Sequence, residues 1–443
     1  MSIRVVNETM VAFLLIMFFC VAPSYLTAQD WPNFRGPNGN GVLEKLTHPL
    51  TWSNDKNMAW AVDMPGGGLS SPIVQGDRIF LTTAIGATPP VSFSEGVRDM
   101  RPKKPEKPVK FHVICFLLED GSKLWEKTIV EKLPEYPIHG SNSYSTESPA
   151  TDGKHLFVYF AAVGTVAALD LDGNEIWKKE IGAYPTGNGF GTGSSLATGD
   201  GKVFIQCDND RDSFVVAFDG ATGNEVWRQE RSGRTSWSTP LYWKNDNRSE
   251  LVTCGSGFVI SYDPTTGNEL WKIDNIGMSF SASPASDNQQ IYFGNSGPRS
   301  SGPLLAVKSA MEGQHRFEPD QSIENMAWSK MQAGPGMSSP VCVGEYLYIP
   351  SRGILTCYDT KNGSVVFKER LKLGSMAASM WAAGDRIFLM DESGKTLAIE
   401  AGPKLNVVAT NQIDDLFWST PAVSGKSLLL RGVKKLYCVR QAD

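Results

Sequence analysis

The sequence predicts an all-β protein: an eight-bladed β-propeller of four-stranded antiparallel blades, its ring closed by an N-terminal strand. Three observations lead there. First, one short apolar strand recurs eight times, as Val113-Ile114-Cys115-Phe116, Val166-Ala167-Ala168-Leu169, Val215-Val216-Ala217-Phe218, Val259-Ile260-Ser261-Tyr262, Leu304-Leu305-Ala306-Val307, Leu355-Thr356-Cys357-Tyr358, Thr396-Leu397-Ala398-Ile399 and Leu436-Tyr437-Cys438-Val439. Second, most copies lead through an acidic or Gly turn into a strand ending in Trp, as in Asp170 to Trp177. Third, the last copy runs out of chain, and the wording of its missing strand stands near the front. A strand-and-turn unit repeating at roughly 40–50 residues marks propeller blades, because each unit buries its face only against the next.

Taken in order, Met1 to Ala28 reads as a secretory signal, with Arg4 as its basic start, Met10 to Ala22 as its apolar run and Leu26-Thr27-Ala28 as a cleavage site. The run is short for a membrane span. Residues 29–56 form an N-terminal arm and 57–443 the propeller. Each inner strand opens on a small polar residue before Pro: Ser71-Pro72, Ser148-Pro149, Thr239-Pro240, Ser283-Pro284, Ser339-Pro340 and Thr420-Pro421, with Ser195-Leu196 and Ser379-Met380 as degenerate versions. Pro is tolerated there because no ladder donor is yet required. Gly-Asp or Asp-Gly turns and alternating second strands such as Tyr346 to Ile349 follow, and the recurring strand is third.

The fourth strands end in Trp125, Trp177, Trp227, Trp271, Trp328 and Phe367, with a weak copy at Leu405 to Val408. Asn57-Met58-Ala59-Trp60 repeats Asn325-Met326-Ala327-Trp328, so residues 57–64 are expected to pair with the last blade. Such closure removes sheet edges that would template aggregation. Gly86 to Lys110, carrying Pro89-Pro90 and Arg101 to Pro105, reads as a mobile surface loop of blade 1. Pro298 to Glu324 lengthens blade 5 on both sides of its third strand.

The 443 residues carry a formal charge of −5, which argues against a nucleic-acid or anionic-membrane binder, since these need a basic face. Cys20 falls in the signal, leaving six cysteines. Cys115, Cys357 and Cys438 occupy the slot where other copies carry Ala168, Ala217, Ala306 and Ala398. That slot wants a small buried residue, and a free thiol fills it. Cys207, Cys254 and Cys342 also sit in apolar strands, so core thiols are expected, not bridges.

The endings Asp172-Gly173-Asn174-Glu175-Ile176-Trp177, Thr222-Gly223-Asn224-Glu225-Val226-Trp227 and Thr266-Gly267-Asn268-Glu269-Leu270-Trp271 resemble the pyrroloquinoline-quinone-like propeller repeats, over about residues 50 to 440. The opening Asp30-Trp31-Pro32-Asn33-Phe34-Arg35-Gly36-Pro37-Asn38-Gly39 looks like the mature start of secreted members common in planctomycete-type bacteria. The resemblance implies one of two roles. The family contains quinone-dependent alcohol dehydrogenases, some acting on polyvinyl alcohol. It also contains the propeller lipoprotein of the outer-membrane assembly machine, which binds proteins and catalyses nothing. In the dehydrogenases the quinone (PQQ) sits between a Trp and a disulfide of adjacent cysteines, beside calcium held by Glu, Asn and Asp. This sequence has no adjacent cysteines and no Cys-x-x-Cys-His.

Residues just before each inner strand should face the channel or its rim, where converging loops on rigid blades build sites. His139 to Glu147 is the segment richest in proton-transfer and hydrogen-bonding groups, and Gly187 to Gly193 offers pliable backbone beside it. Glu147 is the candidate base or calcium ligand and His139 the acid–base group. Asn142, Tyr144, Phe190, Arg234 as anion clamp, and Trp237 and Trp418 as aromatic surfaces are the candidate ligand contacts. Asp208 to Asp212 opens like a calcium loop, but Ser213 stands where that loop needs Gly, so it reads as an acidic hairpin turn. No metal site, Ser-His-Asp order, zinc spacing or phosphate loop is found.

The function expected is an exported, non-catalytic binding or scaffold module for a protein or polymer ligand of the cell envelope. It would work as a monomer in the periplasm or outside the cell, with no cofactor, no nucleic-acid partner and no transmembrane segment after signal cleavage. The alternative is a PQQ- and calcium-dependent alcohol dehydrogenase centred on the Glu147 segment.

Overall fold

A computed structural model describes residues 30–92, 102–277, 279–297 and 301–441. The expected signal and its cleavage site lie outside these residues. Eight sheets radiate from one axis, six of four strands and two of five. In chain order the innermost strands are Ile73–Gln75, Ala150–Thr151, Ala197–Gly199, Leu241–Lys244, Ala285–Ser286, Val341–Val343, Trp381–Ala383 and Ala422–Ser424, one for each of blades 1 to 8. The eight recurring strands are all third strands, as expected.

The last blade is completed from the front of the chain. Met58–Asp63 pairs antiparallel with Lys435–Val439, with Trp60 opposite Cys438 and Val62 opposite Leu436. The repeated Asn-Met-Ala-Trp wording has a local cause. Asn57 and Asn325 both take positive φ, 54° and 62°, which Asn tolerates better than most residues. Each carbonyl then accepts an amide at the end of a third strand: Arg440 on Asn57 and Lys308 on Asn325, both at 2.9 Å.

Packing between blades explains the Asp-Gly-Asn-Glu-x-Trp endings. In every blade the small slot of the third strand lies opposite the Trp position of the fourth: Cys115 faces Trp125, Ala168 faces Trp177 and Cys357 faces Phe367. The residue before that position is bulged out of register, as at Ile176 between Glu175 and Trp177. A bulge twists an outer strand away from foreign strands. The indole then crosses to the next blade. Trp177 donates to the Gly220 carbonyl at 2.8 Å, Trp227 to Pro264 at 3.1 Å and Trp60 to Leu118 at 3.1 Å. The ring covers the turn glycine of that blade: a Cβ on Gly223 would meet Trp177 at 2.6 Å, and one on Gly173 would meet Trp125 at 3.0 Å. Glycine is therefore demanded twice, by its positive φ and by the neighbouring indole.

Two blades depart from four strands. Residues Gly313–Arg316, from the lengthened stretch of blade 5, add a fifth strand parallel to Glu269–Asp274 of blade 4. Blade 5 therefore presents no regular turn to Trp271, which donates instead to the buried Glu250 carboxylate at 2.7 Å. Val42–Leu43 of the arm adds an inner strand, parallel to Trp381–Ala383 of blade 7. The six cysteines after Cys20 are free, five of them buried and Cys207 half-buried.

Because the strands alternate in direction, the segments entering each inner strand and those joining strands two and three share one face. The tight turns share the other. These are the loop face and the turn face.

Candidate functional site

The arm fills the channel from the turn face. Asp30 accepts the Gly76 amide at 2.7 Å, Trp31 pairs with Val74, and the Thr151 amide donates to Pro32 at 2.9 Å. Arg35 is fully buried. Its guanidinium reaches through the channel to the Pro284 carbonyl at 2.7 Å and to the Pro340 carbonyl, and also holds Asn40 at 2.7 Å. With no carboxylate beside it, burial lowers its pKa to about 9. The sequence showed the arm's opening motif but gave no sign that it was a plug.

The small-polar residues before the inner strands form a closed circle of hydrogen bonds. Each amide donates to the hydroxyl of the next blade: Ser71 to Ser148 at 2.8 Å, Ser148 to Ser195 at 3.0 Å, Ser195 to Thr239 at 3.0 Å and Thr239 to Ser283 at 3.0 Å. Ser283 continues to Ser339 at 2.9 Å, Ser339 to Ser379 at 3.2 Å, Ser379 to Thr420 at 2.9 Å and Thr420 back to Ser71 at 3.0 Å. These amides face the axis, where no ladder partner exists, so hydroxyls must satisfy them. The degenerate positions Ser195 and Ser379 dispense with Pro and keep the hydroxyl.

Above the circle, on the loop face, lie the residues singled out from sequence. His139 packs on Phe190 with the rings tilted at 45° and their centres 4.9 Å apart, and Phe190 meets Trp237 edge-on at 6.0 Å. His139 Nδ1 lies 2.7 Å from the Ser141 hydroxyl, and partial burial lowers its pKa. Trp237 donates to the Gly191 carbonyl at 2.7 Å. Asn142 clips the two segments together, donating to the carbonyls of Phe190 at 2.7 Å and Thr192 at 3.0 Å. Tyr144 is buried, and its hydroxyl donates to Lys103 at 2.9 Å, so it positions the rim and offers a ligand nothing. Arg234 is exposed and Trp418 half-buried. Trp418 enters the inner strand of blade 8, whereas the group belongs to the segments entering blades 2 to 4.

Glu147 is 1% exposed, and among the described residues neither carboxylate oxygen has a hydrogen-bond partner of good geometry. Burial raises its pKa to about 7, an effect moderated by Thr192 and nearby backbone. It lies behind a cleft between blades 2 and 3 whose walls include Tyr159, Tyr184, Thr192, Gln206, Asp208 and Trp237. The cleft is narrow. About 20 Å³ is open to the centre of a water molecule, room for about one ordered water.

The sequence did not point to the interior partners. Asp208, first residue of the acidic turn, is buried and pairs with Arg231 at 3.3 Å, both side chains fully enclosed. The hairpin turn itself is as expected, with Asn209 Oδ1 accepting the amides of Arg211 and Asp212 at 2.8 Å. The loop from Gly86 is not free along its described length. The Val91 amide donates to Gly140 at 3.0 Å, Lys103 and Ile138 exchange backbone bonds, and Ser92 reaches Glu392 of blade 7 at 3.0 Å. Its described parts strap the loop face.

These residues do not fit a quinone and calcium set. The chain has no adjacent cysteines, and among the described residues no three His, Cys, Asp or Glu side chains gather around a metal position.

Architecture and rim together define an eight-bladed propeller with a plugged channel and a loop-face cleft. The chain belongs to the PQQ_2 family, described as Outer membrane protein assembly factor BamB, whose model matches residues 109–369 and 255–404. It is similar to the Outer membrane protein assembly factor BamB of Moranella endobia (strain PCIT), 21% identical over 257 residues. That match covers 53% of this chain and only 61% of the relative. Among solved structures it is similar to BamB from Moraxella catarrhalis, with TM-score 0.54 and 12% identity over 82% of this chain and 98% of that one. It is also similar to the quinohemoprotein alcohol dehydrogenase from Comamonas testosteroni, with TM-score 0.60 and 11% identity over 94% and 81%. One is named for assembly and the other for oxidation, so the shared fold does not choose between them. No helix among the described residues is long and apolar enough to cross a membrane.

Proposed function

We propose that this protein is an exported, non-catalytic binding module that holds a protein of the cell envelope on its loop face, acting as a monomer. The observation that carries the reading is the row His139–Phe190–Trp237, three rings in sequence on a rim pinned by Asn142. Rigid aromatic surfaces on a fixed scaffold bind at low entropic cost, and Trp and Tyr anchors dominate protein interfaces. The misfit to a quinone set and the plugged turn face support a binding role. Membership of a family described by an assembly factor supports the envelope as its place. The signal-like first 28 residues support export.

A photocrosslinking residue at Phe190, with a control at Asp172 on the turn face, tests this in envelope extract. One discrete adduct is expected from position 190 alone, abolished by Trp237→Ala. Crosslinking equally from both faces, or none from either, would overturn the reading. Calorimetry with PQQ and calcium tests the dehydrogenase alternative, and saturable quinone binding with dye-linked alcohol oxidation would replace the binding reading.

A further inference from the structure

We infer that the cleft between blades 2 and 3 is a receptor for a primary ammonium group, as on a lysine side chain. The inference rests on the loop-face reading above and names the chemical group that face accepts.

Two acceptors line it and a third lies just behind its wall. Gln206 is 1% exposed and Ser194 8%. Both line the cleft, and among the described residues the Gln206 Oε1 and Ser194 Oγ atoms have no hydrogen-bond partner. Gln206 is fixed from its other end, its Nε2 donating to Asp208 and to the Cys254 carbonyl, each at 2.8 Å. Its Oε1 is thereby left as an oriented acceptor. The third is Glu147, whose neighbours Thr192, Ala161 and Tyr159 are themselves cleft walls.

The charge balance agrees. Asp208 is neutralised by Arg231, whereas no described cation pairs with Glu147. Buried polar groups are rarely left without partners unless a ligand or water completes them. An ammonium brings three donors and one positive charge, against one carboxylate and two neutral oxygens. Calcium instead wants six to eight oxygens, several of them carboxylate. The space admits a group of about the size of water, and Tyr184 and Trp237 on the walls can flank a methylene stem. Asp210, exposed and hydrogen-bonded to Thr235 at 2.8 Å, adds negative charge near the mouth, opposed by exposed Arg234.

The full chain is titrated calorimetrically with Nα-acetyl-lysine amide, its Nε-acetylated form, methylammonium and potassium. Saturable binding of the lysine probe is expected, with none of the Nε-acetylated form. Affinity should fall at least tenfold in Glu147→Gln and severalfold in Ser194→Ala. Binding should also weaken as pH falls through about 7, where Glu147 protonates while Tyr159, Tyr184 and Cys207 of the cleft walls stay neutral. No saturable binding, equal binding of the acetylated probe, or an unchanged Glu147→Gln would overturn the inference. Potassium or methylammonium binding as tightly as the lysine probe would overturn it too. A discrete adduct at position 190 without lysine-probe binding sinks only the ammonium site. Probe binding without an adduct sinks only the envelope-protein reading.

Discussion

The Thr420 amide donates to the Ser71 hydroxyl at 3.0 Å across 349 residues of chain. This one contact joins the last blade to the first at the axis, while the Met58–Asp63 strand joins them at the circumference. The ring is thus locked at two radii, and each inner strand begins from a fixed point. That is why the loops above this circle on blades 2 and 3 can hold polar atoms in set positions.

Ser71→Ala removes an acceptor and leaves the buried Thr420 amide unsatisfied. The expected cost is about 1–3 kcal/mol, read from the midpoint of urea unfolding. Ser71→Thr should restore most of it, because the hydroxyl and not the size of the side chain is what the circle uses.

Gly223→Ala places a methyl against Trp177 in a left-handed turn. Strain and overpacking together should cost about 2–5 kcal/mol. Gly76→Ala has a similar φ of 61° and nothing within 4 Å, so strain alone, about 1–2 kcal/mol, is expected. Parallel thermal unfolding of the two variants separates the indole contact from the backbone effect.

Trp60→Ala strips the closing strand of its anchor over Gly121 and of its bond to Leu118. A loss of about 2–4 kcal/mol is expected, the lower part of the range for Trp truncation because Trp60 is only half-buried. Hydrogen exchange should show Lys435–Val439 losing protection before any other third strand.

Glu147→Gln tests the buried carboxyl. Its folded pKa is raised from 4.5 to about 7, so the wild type is favoured while the group is protonated and loses stability as pH climbs from 4.5 through 7. Above that window the buried charge costs on the order of 3 kcal/mol. The variant should therefore be the more stable protein at pH 8.5 and nearly equal to wild type at pH 4, by denaturant unfolding at both.

Much of this was readable from local chemistry. Turn glycines, strand-opening Ser-Pro pairs and Trp endings are each dictated by a neighbour one blade away, so they repeat with the blades and show in the sequence. The candidate site was only partly legible. His139, Phe190 and Trp237 were named and do come together, because they enter equivalent positions of successive blades. Tyr144 was named and turns inward, and the arm's role as a plug was missed. Gln206, Ser194 and the Asp208–Arg231 pair looked like ordinary strand and turn residues. Nothing in a strand's alternation says which buried polar atom will lack a partner.

The sequence by itself determined eight blades, their closure by residues 57–64 and the small-residue slot beneath each Trp, because these follow from periodic burial and turn stereochemistry. Only the tertiary structure decided that Arg35 fills the channel, that Gly313–Arg316 crosses to blade 4 and that Glu147 is left facing no described cation. Those outcomes depend on which side chains meet across blades far apart in the chain, and no repeat encodes them.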